Sequence, residues 1–222
     1  MAIFVLVHGA WGGADTWRTA AKALQTKGHE AHLVPLTGLG EKRHLLHPGI
    51  TLETHVEDVL GLVENAGLQD FVLAGHSYGG MIITEVANRI AEKIRALVYV
   101  DAFLPRDGEA LWDISDDPSR QHYIDAQRDL PGLVAPFPGS PPTLGRHPLL
   151  TLTQPVRMTG KADTITRRSY VYATKGAPTV FTKFHERISA DPAWRSYQVP
   201  TNHGVMQEMP EETARILIEA AD

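Results

Sequence analysis

The sequence of 222 residues predicts a single α/β domain in which a mostly parallel sheet is flanked by helices. Two observations indicate this class. Short apolar runs rich in β-branched residues alternate with stretches in which apolar residues recur at helical spacing. This alternation of strand and helix continues along the chain, which is typical of βαβ units and therefore of a parallel sheet. A chain of this length can enclose one sizeable hydrophobic core.

Six segments have the composition of buried or half-buried strands. The first, residues 3–7, is a continuous apolar run that His8-Gly9 ends, as expected for a strand covered on both faces. The other predicted strands are residues 31–35, 71–74, 97–100, 169–173 and 194–199.

Five segments have helical periodicity. In residues 52–66, the apolar side chains of Val56, Val59 and Val63 recur on one face, and Gly67 follows where a helix would end. The other predicted helices are residues 17–26, 81–90, 182–189 and 210–221.

The alternation breaks between residues 103 and 168. This stretch contains nine prolines, which are Pro105, Pro118, Pro131, Pro136, Pro138, Pro141, Pro142, Pro148 and Pro155. Proline interrupts helices and cannot donate to a sheet, so long regular elements are not expected there. We therefore predict one domain, 1–222, with a core of residues 1–102 and 169–222. Residues 103–168, approximately, form a short Pro-rich cap over the sheet.

Composition excludes several function classes. A net charge of −5 leaves no electrostatic footprint for nucleic acid or an anionic membrane surface. The absence of cysteine excludes disulfides, thiolate metal sites and a cysteine nucleophile. No apolar run approaches the roughly 18–20 residues that span a bilayer. The N-terminus lacks the basic region of a signal peptide, so we expect a cytoplasmic protein.

The segment Gly75-His76-Ser77-Tyr78-Gly79 has the pattern G-x-S-x-G. This pattern places a serine on a sharp, strained turn only when a strand precedes it and a helix follows it. Predicted strand 71–74 and predicted helix 81–90 satisfy both conditions. Ser77 is therefore the predicted nucleophile, and the alternative is an ordinary Gly/Ser turn.

The loop His8-Gly9-Ala10-Trp11 follows the first predicted strand. In folds with such a nucleophile turn, this loop and the residue after the serine each supply a backbone N–H to an oxyanion hole. The predicted donors are Ala10 and Tyr78. The alternative is that His8-Gly9 only turns the chain.

A general base is expected on a loop after the last strand. Among the 11 histidines, His203 lies between the last predicted strand and the last predicted helix. His185 lies within a predicted helix instead. His203 is therefore the predicted base.

At these motifs the chain resembles the α/β-hydrolase superfamily. The resemblance is closest to the branch of plant methylesterases and hydroxynitrile lyases and their bacterial esterase relatives. Residues 4–11 resemble the opening strand and oxyanion loop of that branch, and residues 36–44, 75–81 and 97–105 are similar to its bacterial members. The similarity covers residues 3–105 and 169 to the end. It implies the α/β-hydrolase fold and ester hydrolysis without a metal or an organic cofactor.

Two positions separate the chain from the lyases of that branch. Hydroxynitrile lyases carry a threonine in the oxyanion loop and a lysine directly after the catalytic histidine. Gly9 and Gly204 occupy these places here. The resemblance therefore favours the esterases.

The acid that would complete a catalytic triad is displaced. Relatives place an aspartate shortly after the strand that corresponds to residues 169–173, but residues 174–178 contain no carboxylate. Asp101 ends the predicted strand that follows the nucleophile helix, and some α/β-hydrolases carry their acid at that point. We predict Asp101 as the acid, and Asp163, Glu186 and Asp191 remain alternatives.

Together these residues predict a serine hydrolase that cleaves small carboxylic esters through an acyl-enzyme on Ser77. The cap residues expected to line an apolar substrate pocket, or equally to pack the cap onto the core, are Trp112, Tyr123, Leu130, Leu133 and Phe137. Two alternatives stay open: a lyase or C–C bond hydrolase on the same scaffold, and a small-molecule receptor without turnover. The oligomeric state is not predicted.

Overall fold

A computed structural model describes residues 1–222 of the chain. The strands are β1 (Ile3–Val7), β2 (Glu30–Val34), β3 (Phe71–His76), β4 (Ile94–Val100), β5 (Leu133–Val134), β6 (His147–Pro148), β7 (Arg168–Ala173) and β8 (Arg195–Val199). All except β5 and β6 form one sheet in the order β2-β1-β3-β4-β7-β8, and every neighbouring pair is parallel. The prediction of a mostly parallel sheet is confirmed.

The helices connect these strands. They are α1 (Arg18–Thr26), α2 (Leu52–Asn65), α3 (Gly79–Ile90), α4 (Leu111–Ile114), α5 (Asp117–Asp125), α6 (Leu149–Thr153), α7 (Thr182–Ser189), α8 (Val205–Glu208) and α9 (Pro210–Ala221). Short 3₁₀ helices occupy Ala14–Trp17, Gly40–Leu45, Ala91–Lys93 and Lys161–Thr164.

The helices cover both faces of the sheet. Val5 and Val7 of β1 face a cluster that includes side chains of α2 and α3, whereas Phe4 and Leu6 face the opposite cluster with α1 and α9. This alternation follows from the two-residue period of a strand, and burial on both faces explains the continuous apolar run of β1.

Most element bounds differ from the predictions by one to three residues. Helix α3, which follows Ser77, begins at Gly79, two residues before the predicted start. A Cβ atom on Gly79 would lie 2.8 Å from the Val7 carbonyl oxygen, and one on Gly80 would lie 2.0 Å from that of Phe103. The two glycines therefore let the first turn of α3 pack directly against neighbouring backbone, which hydrophobic periodicity does not reveal.

The chain leaves the main sheet between β4 and β7. This segment contains three short helices, α4, α5 and α6, and the antiparallel pair of β5 and β6. Its helix α5 begins with Asp116 as N-cap, whose carboxylate accepts the Ser119 N–H at 2.9 Å, and Pro118 lies in the first turn where its missing N–H costs nothing. The prolines thus shorten the elements of the cap segment rather than abolish them.

No helix of the structure combines the length and the apolar character that a membrane span requires.

Candidate active site

Ser77 lies on the turn between β3 and α3. Its φ angle of 54° is in the left-handed region, which is strained for a residue with a side chain. The Ser77 N–H donates to the Val100 carbonyl oxygen at 3.3 Å, and the Phe103 N–H donates to the Ser77 carbonyl oxygen at 3.1 Å. A Cβ atom on Gly75 would lie 2.7 Å from the Gly79 carbonyl oxygen. The strained turn therefore depends on glycine at both flanks.

Asp101 and His203 meet above the sheet. Asp101 directly follows β4 with a φ angle of 42°, and its side chain is only 2% exposed. One carboxylate oxygen accepts a hydrogen bond from His203 Nδ1 at 2.7 Å, and the other accepts the Ala173 N–H at 3.2 Å. Because Nδ1 donates to the carboxylate, Nε2 of the neutral ring is an acceptor.

The three carboxylates that the sequence left as alternatives to Asp101 do not contact His203. Asp163 forms an exposed ion pair with Arg168 at 3.6 Å. Asp191 accepts the Ala193 N–H at 2.9 Å, and Glu186 is exposed on α7. Asp101 is the one that hydrogen bonds to the histidine.

Two aromatic rings fix the plane of the His203 imidazole. Phe181 stacks on it at 4.8 Å between ring centroids with 9° between the planes, and the His76 ring lies 4.4 Å away. His76 Nε2 also donates to the His203 carbonyl oxygen at 2.8 Å. Burial, and the neighbouring His203, lower the pKa of His76 well below its usual range, so His76 remains a neutral donor.

The loop after β1 packs against the nucleophile turn. A Cβ atom on Gly9 would lie 2.9 Å from the Cβ atom of Ser77, so the close approach requires glycine. His8 is buried, and its Nδ1 donates to the Gly9 carbonyl oxygen at 2.8 Å. The N–H groups of Ala10 and Tyr78 have no acceptor within the protein. Both are therefore available to an oxyanion.

Ser77 and His203 line one cavity of about 900 Å³. No hydrogen bond joins the Ser77 hydroxyl to His203. A bond between a nucleophile and its base is often long without substrate and shortens when substrate binds. One part of the wall is apolar and mostly aromatic, with Trp11, Phe103, Tyr123, Phe137, Leu144, Val180 and Phe181. Another part is polar, with Asp15, Thr16, Arg18, Glu41, Arg43 and Gln207.

Three of the five cap residues proposed from the sequence as pocket residues do not line this cavity. Leu130 is 48% exposed, Leu133 pairs with Pro148 in the strand pair β5–β6, and the Trp112 ring packs against that of Tyr123 with 6.1 Å between centroids. These three residues do not have the predicted pocket role, and the alternative given with it, packing of the cap onto the core, describes Trp112. Tyr123 and Phe137 do lie in the cavity wall.

Three side chains that shape the site were not predicted from the sequence. Phe181 precedes α7 in a segment with no motif, so no sequence signal identified it as the ring that stacks on His203. Trp11 stands beside the predicted oxyanion donor Ala10, and that position was an available signal. Phe103 likewise follows Asp101 closely and lines the cavity.

Comparisons with known proteins agree with this fold. The model of the alpha/beta hydrolase family matches residues 4–216. The chain belongs to this family. The predicted fold and family are therefore confirmed.

An esterase is similar to this chain along nearly its whole length. The carbendazim-hydrolysing esterase of Nocardioides sp. (strain SG-4G) is 37% identical over 238 residues, which covers 98% of each chain. An alpha-hydroxynitrile lyase of Arabidopsis thaliana is 32% identical over 133 residues, or 58% of this chain and 47% of its own.

A solved structure, an extracellular α/β-hydrolase from a Paenibacillus species, superimposes with a TM-score of 0.86 at 23% identity. It covers 99% of both chains and is described as sharing structural and functional homology with tobacco salicylic acid binding protein 2. At this level of identity, the likeness bears on the fold of the present chain.

Proposed function

We propose that this hydrolase cleaves small carboxylic esters through an acyl-enzyme on Ser77, with His203 as general base and Asp101 as the acid that orients it. The observation that carries the proposal is the 2.7 Å hydrogen bond between His203 Nδ1 and the buried Asp101, at the cavity that Ser77 also lines. The protein is an esterase, in agreement with the Nocardioides relative.

The reaction follows from these roles. His203 Nε2 removes the proton from Ser77 Oγ as that oxygen attacks the ester carbonyl carbon. The negative charge that develops on the carbonyl oxygen is stabilised by the free N–H groups of Ala10 and Tyr78. His203 then protonates the departing alcohol, and a water activated by the same histidine releases the acid. Asp101 holds the imidazole in one tautomer and stabilises its cation.

The cavity supports small esters with an apolar or aromatic group. Its aromatic wall, which includes Trp11, Tyr123 and Phe137, offers ring faces and edges to such a group. Carbendazim, a methyl carbamate on a flat bicyclic ring, is a candidate because the Nocardioides relative is named for hydrolysing it.

Cyanohydrin cleavage is the less favoured alternative. Position 9 is too close to Ser77 Cβ for a threonine without displacement of the loop. Position 204, which also lines the cavity, is a glycine and offers no cation to a departing cyanide. A receptor without turnover is distinguished from an esterase by the assay below.

Ser77→Ala tests the nucleophile. It should lower turnover of a chromogenic short-chain ester on the order of 10⁶-fold, as for other serine enzymes whose triad acts as a unit. The assay panel contains acetate, butyrate and octanoate esters, aryl methyl esters, carbendazim and a cyanohydrin.

The matched control is Ser140→Ala, because Ser140 lines the same cavity but has no role in the mechanism. It should keep wild-type turnover. Ser77→Ala turnover above about a tenth of wild type would exclude Ser77 as the nucleophile. So would stoichiometric labelling of another residue by an organophosphonate.

A cytoplasmic location is a further part of this proposal, and fractionation of the producing cell tests it.

A further inference from the structure

Trp11 has a backbone conformation that is rare for a residue with a bulky side chain. Its φ angle is 62°, in the left-handed region where bulky residues are rare. The Gly12 N–H donates to the Ala10 carbonyl oxygen at 2.8 Å, which closes a three-residue turn with Trp11 at its centre. A turn of this kind with positive φ is strained and persists only where surrounding contacts impose it.

Three hydrogen bonds hold Trp11 in this conformation, and all three come from residues 133–148, which we call the cap hairpin. The Trp11 N–H donates to His147 Nδ1 at 3.3 Å, and its indole Nε1–H donates to the Val134 carbonyl oxygen at 3.0 Å. The Trp11 carbonyl oxygen accepts the Gly145 N–H at 3.0 Å. The cap hairpin therefore binds every polar group of this residue.

The hydrogen bonds around His147 fix its tautomer. The Trp11 backbone N–H can only donate, so Nδ1 carries no proton and Nε2 does. Nε2 then donates to the Thr151 hydroxyl at 2.6 Å, which in turn donates to the Pro148 carbonyl oxygen at 2.8 Å. His147 and Thr151 are both fully buried. These hydrogen bonds all run in one direction, and they leave Nδ1 of the neutral His147 ring as the acceptor for the Trp11 N–H.

The neighbour of Trp11 is Ala10, whose free N–H is aimed at the oxyanion in the proposed function. A shift of the Trp11 peptide changes the direction of the Ala10 N–H, and oxyanion-hole catalysis depends on that direction. We propose that Trp11 and His147 are positioning residues: docking of the cap hairpin on Trp11 sets the oxyanion hole. This inference rests on the proposed function.

The test uses His147 variants that differ in the acceptor. His147→Phe fills the site but has no acceptor, whereas His147→Asn places its amide oxygen near the position of Nδ1. Removal of a whole oxyanion donor costs about 10²–10³ in kcat, so a misdirected donor should cost roughly 10- to 100-fold in the Phe variant. The KM of that variant should change by less than about threefold because the contact acts on the transition state.

A trifluoromethyl ketone supplies the readout that a merely structural role would not change. It forms a tetrahedral adduct on a serine and places an oxyanion in the hole. Its affinity should fall with kcat in His147→Phe and be restored to within about fivefold of wild type in His147→Asn.

Tyr99→Phe is the matched control, because it removes a buried 2.8 Å hydrogen bond to Thr84 that involves neither this loop nor the cap hairpin. It should lower the melting temperature yet keep kcat within about twofold of wild type.

The inference is overturned if His147→Phe keeps both kcat and ketone affinity, or if His147→Asn is as impaired as His147→Phe. It is also overturned if Tyr99→Phe loses as much activity as His147→Phe. If His147→Phe does not fold, Trp11→Phe replaces it, since of the three hydrogen bonds this variant loses only the one from the indole to Val134. Unchanged ketone affinity in Trp11→Phe would then reject the inference. Failure of the proposed function is distinct, because wild type would then form no adduct on Ser77.

Discussion

The core and the cap segment hold their parts of the site in different ways. In the core, Ser77 and Asp101 follow adjacent parallel strands, β3 and β4, and both have positive φ angles. Turns at the strand ends place these two residues. In the cap, His147 is placed by a partner 136 positions away in sequence, Trp11. The proposed nucleophile and acid therefore lie at strand ends of the main sheet, while the cap supplies part of the cavity wall and, in our proposal, the restraint on the oxyanion loop.

This contrast predicts that substitutions in the core and in the cap affect different kinetic constants. Changes at the strand ends should alter turnover with little effect on substrate binding, because those groups act on the reacting atoms. Changes in the cap walls should alter binding more than chemistry, except where the cap hairpin forms hydrogen bonds with Trp11.

Asp101→Asn is the sharpest change in the core. Asparagine would place either an amide N–H against His203 Nδ1 or an uncharged oxygen, and in a serine protease this exchange costs about 10⁴-fold in turnover. We expect a kcat loss of that order with little change in melting temperature, measured with a chromogenic ester and a thermal melt. Asp163→Asn, at an exposed carboxylate paired with Arg168, serves as the control and should be fully active. An Asp101→Asn enzyme with near-normal kcat would remove this residue from the triad.

Acid should destabilise the folded chain through its buried histidines. Burial lowers the pKa values of four histidines, and that of His55 falls to about 4; the four are His8, His55, His76 and His147. Above pH 6.5 these rings are neutral in both the folded and the unfolded chain, so stability is fully present. Below it the unfolded chain binds protons that the folded one does not, and stability falls. His55 alone should contribute a loss of about 3 kcal/mol by pH 4.

The free energy of unfolding by urea, measured between pH 7.5 and 5, tests this. His55→Phe should be less stable at pH 7.5, since it loses hydrogen bonds to Tyr78 and Thr37, yet its stability should fall less steeply with acid. The difference in slope should approach 1.4 kcal/mol per pH unit, the value for one proton. Equal slopes for the two proteins would contradict the assignment of His55.

The smallest expected effects lie in the cap walls. Phe137 lines the cavity and packs edge-on against Trp11 at 5.4 Å between centroids, whereas Leu130 is exposed outside it. Phe137→Ala should raise the KM of an aryl ester roughly fivefold, equivalent to about 1 kcal/mol of lost apolar contact. Leu130→Ala should leave KM and kcat unchanged. Steady-state kinetics on the two variants decide this, and an equal effect from both would show that the cavity wall is assigned wrongly.

The sequence by itself determined the alternation of elements, the nucleophile turn and the position of His203, because each is encoded within a few neighbouring residues. The continuous apolar run of β1 and the glycines around Ser77 are examples. The sequence also predicted Asp101 as the acid, because residues 174–178 contain no carboxylate and Asp101 stands at the end of a strand.

Only the tertiary structure decided how the cap meets the core. Leu130 and Phe137 have the same apolar character in sequence and are both partly exposed, yet only Phe137 lines the cavity. No local pattern distinguishes them, because prolines leave the cap without a helical or strand period from which a buried face can be inferred. The contact between Trp11 and His147 is likewise invisible in sequence, since neither residue's neighbours encode it and the hydrogen bond forms only when the cap hairpin packs on the oxyanion loop.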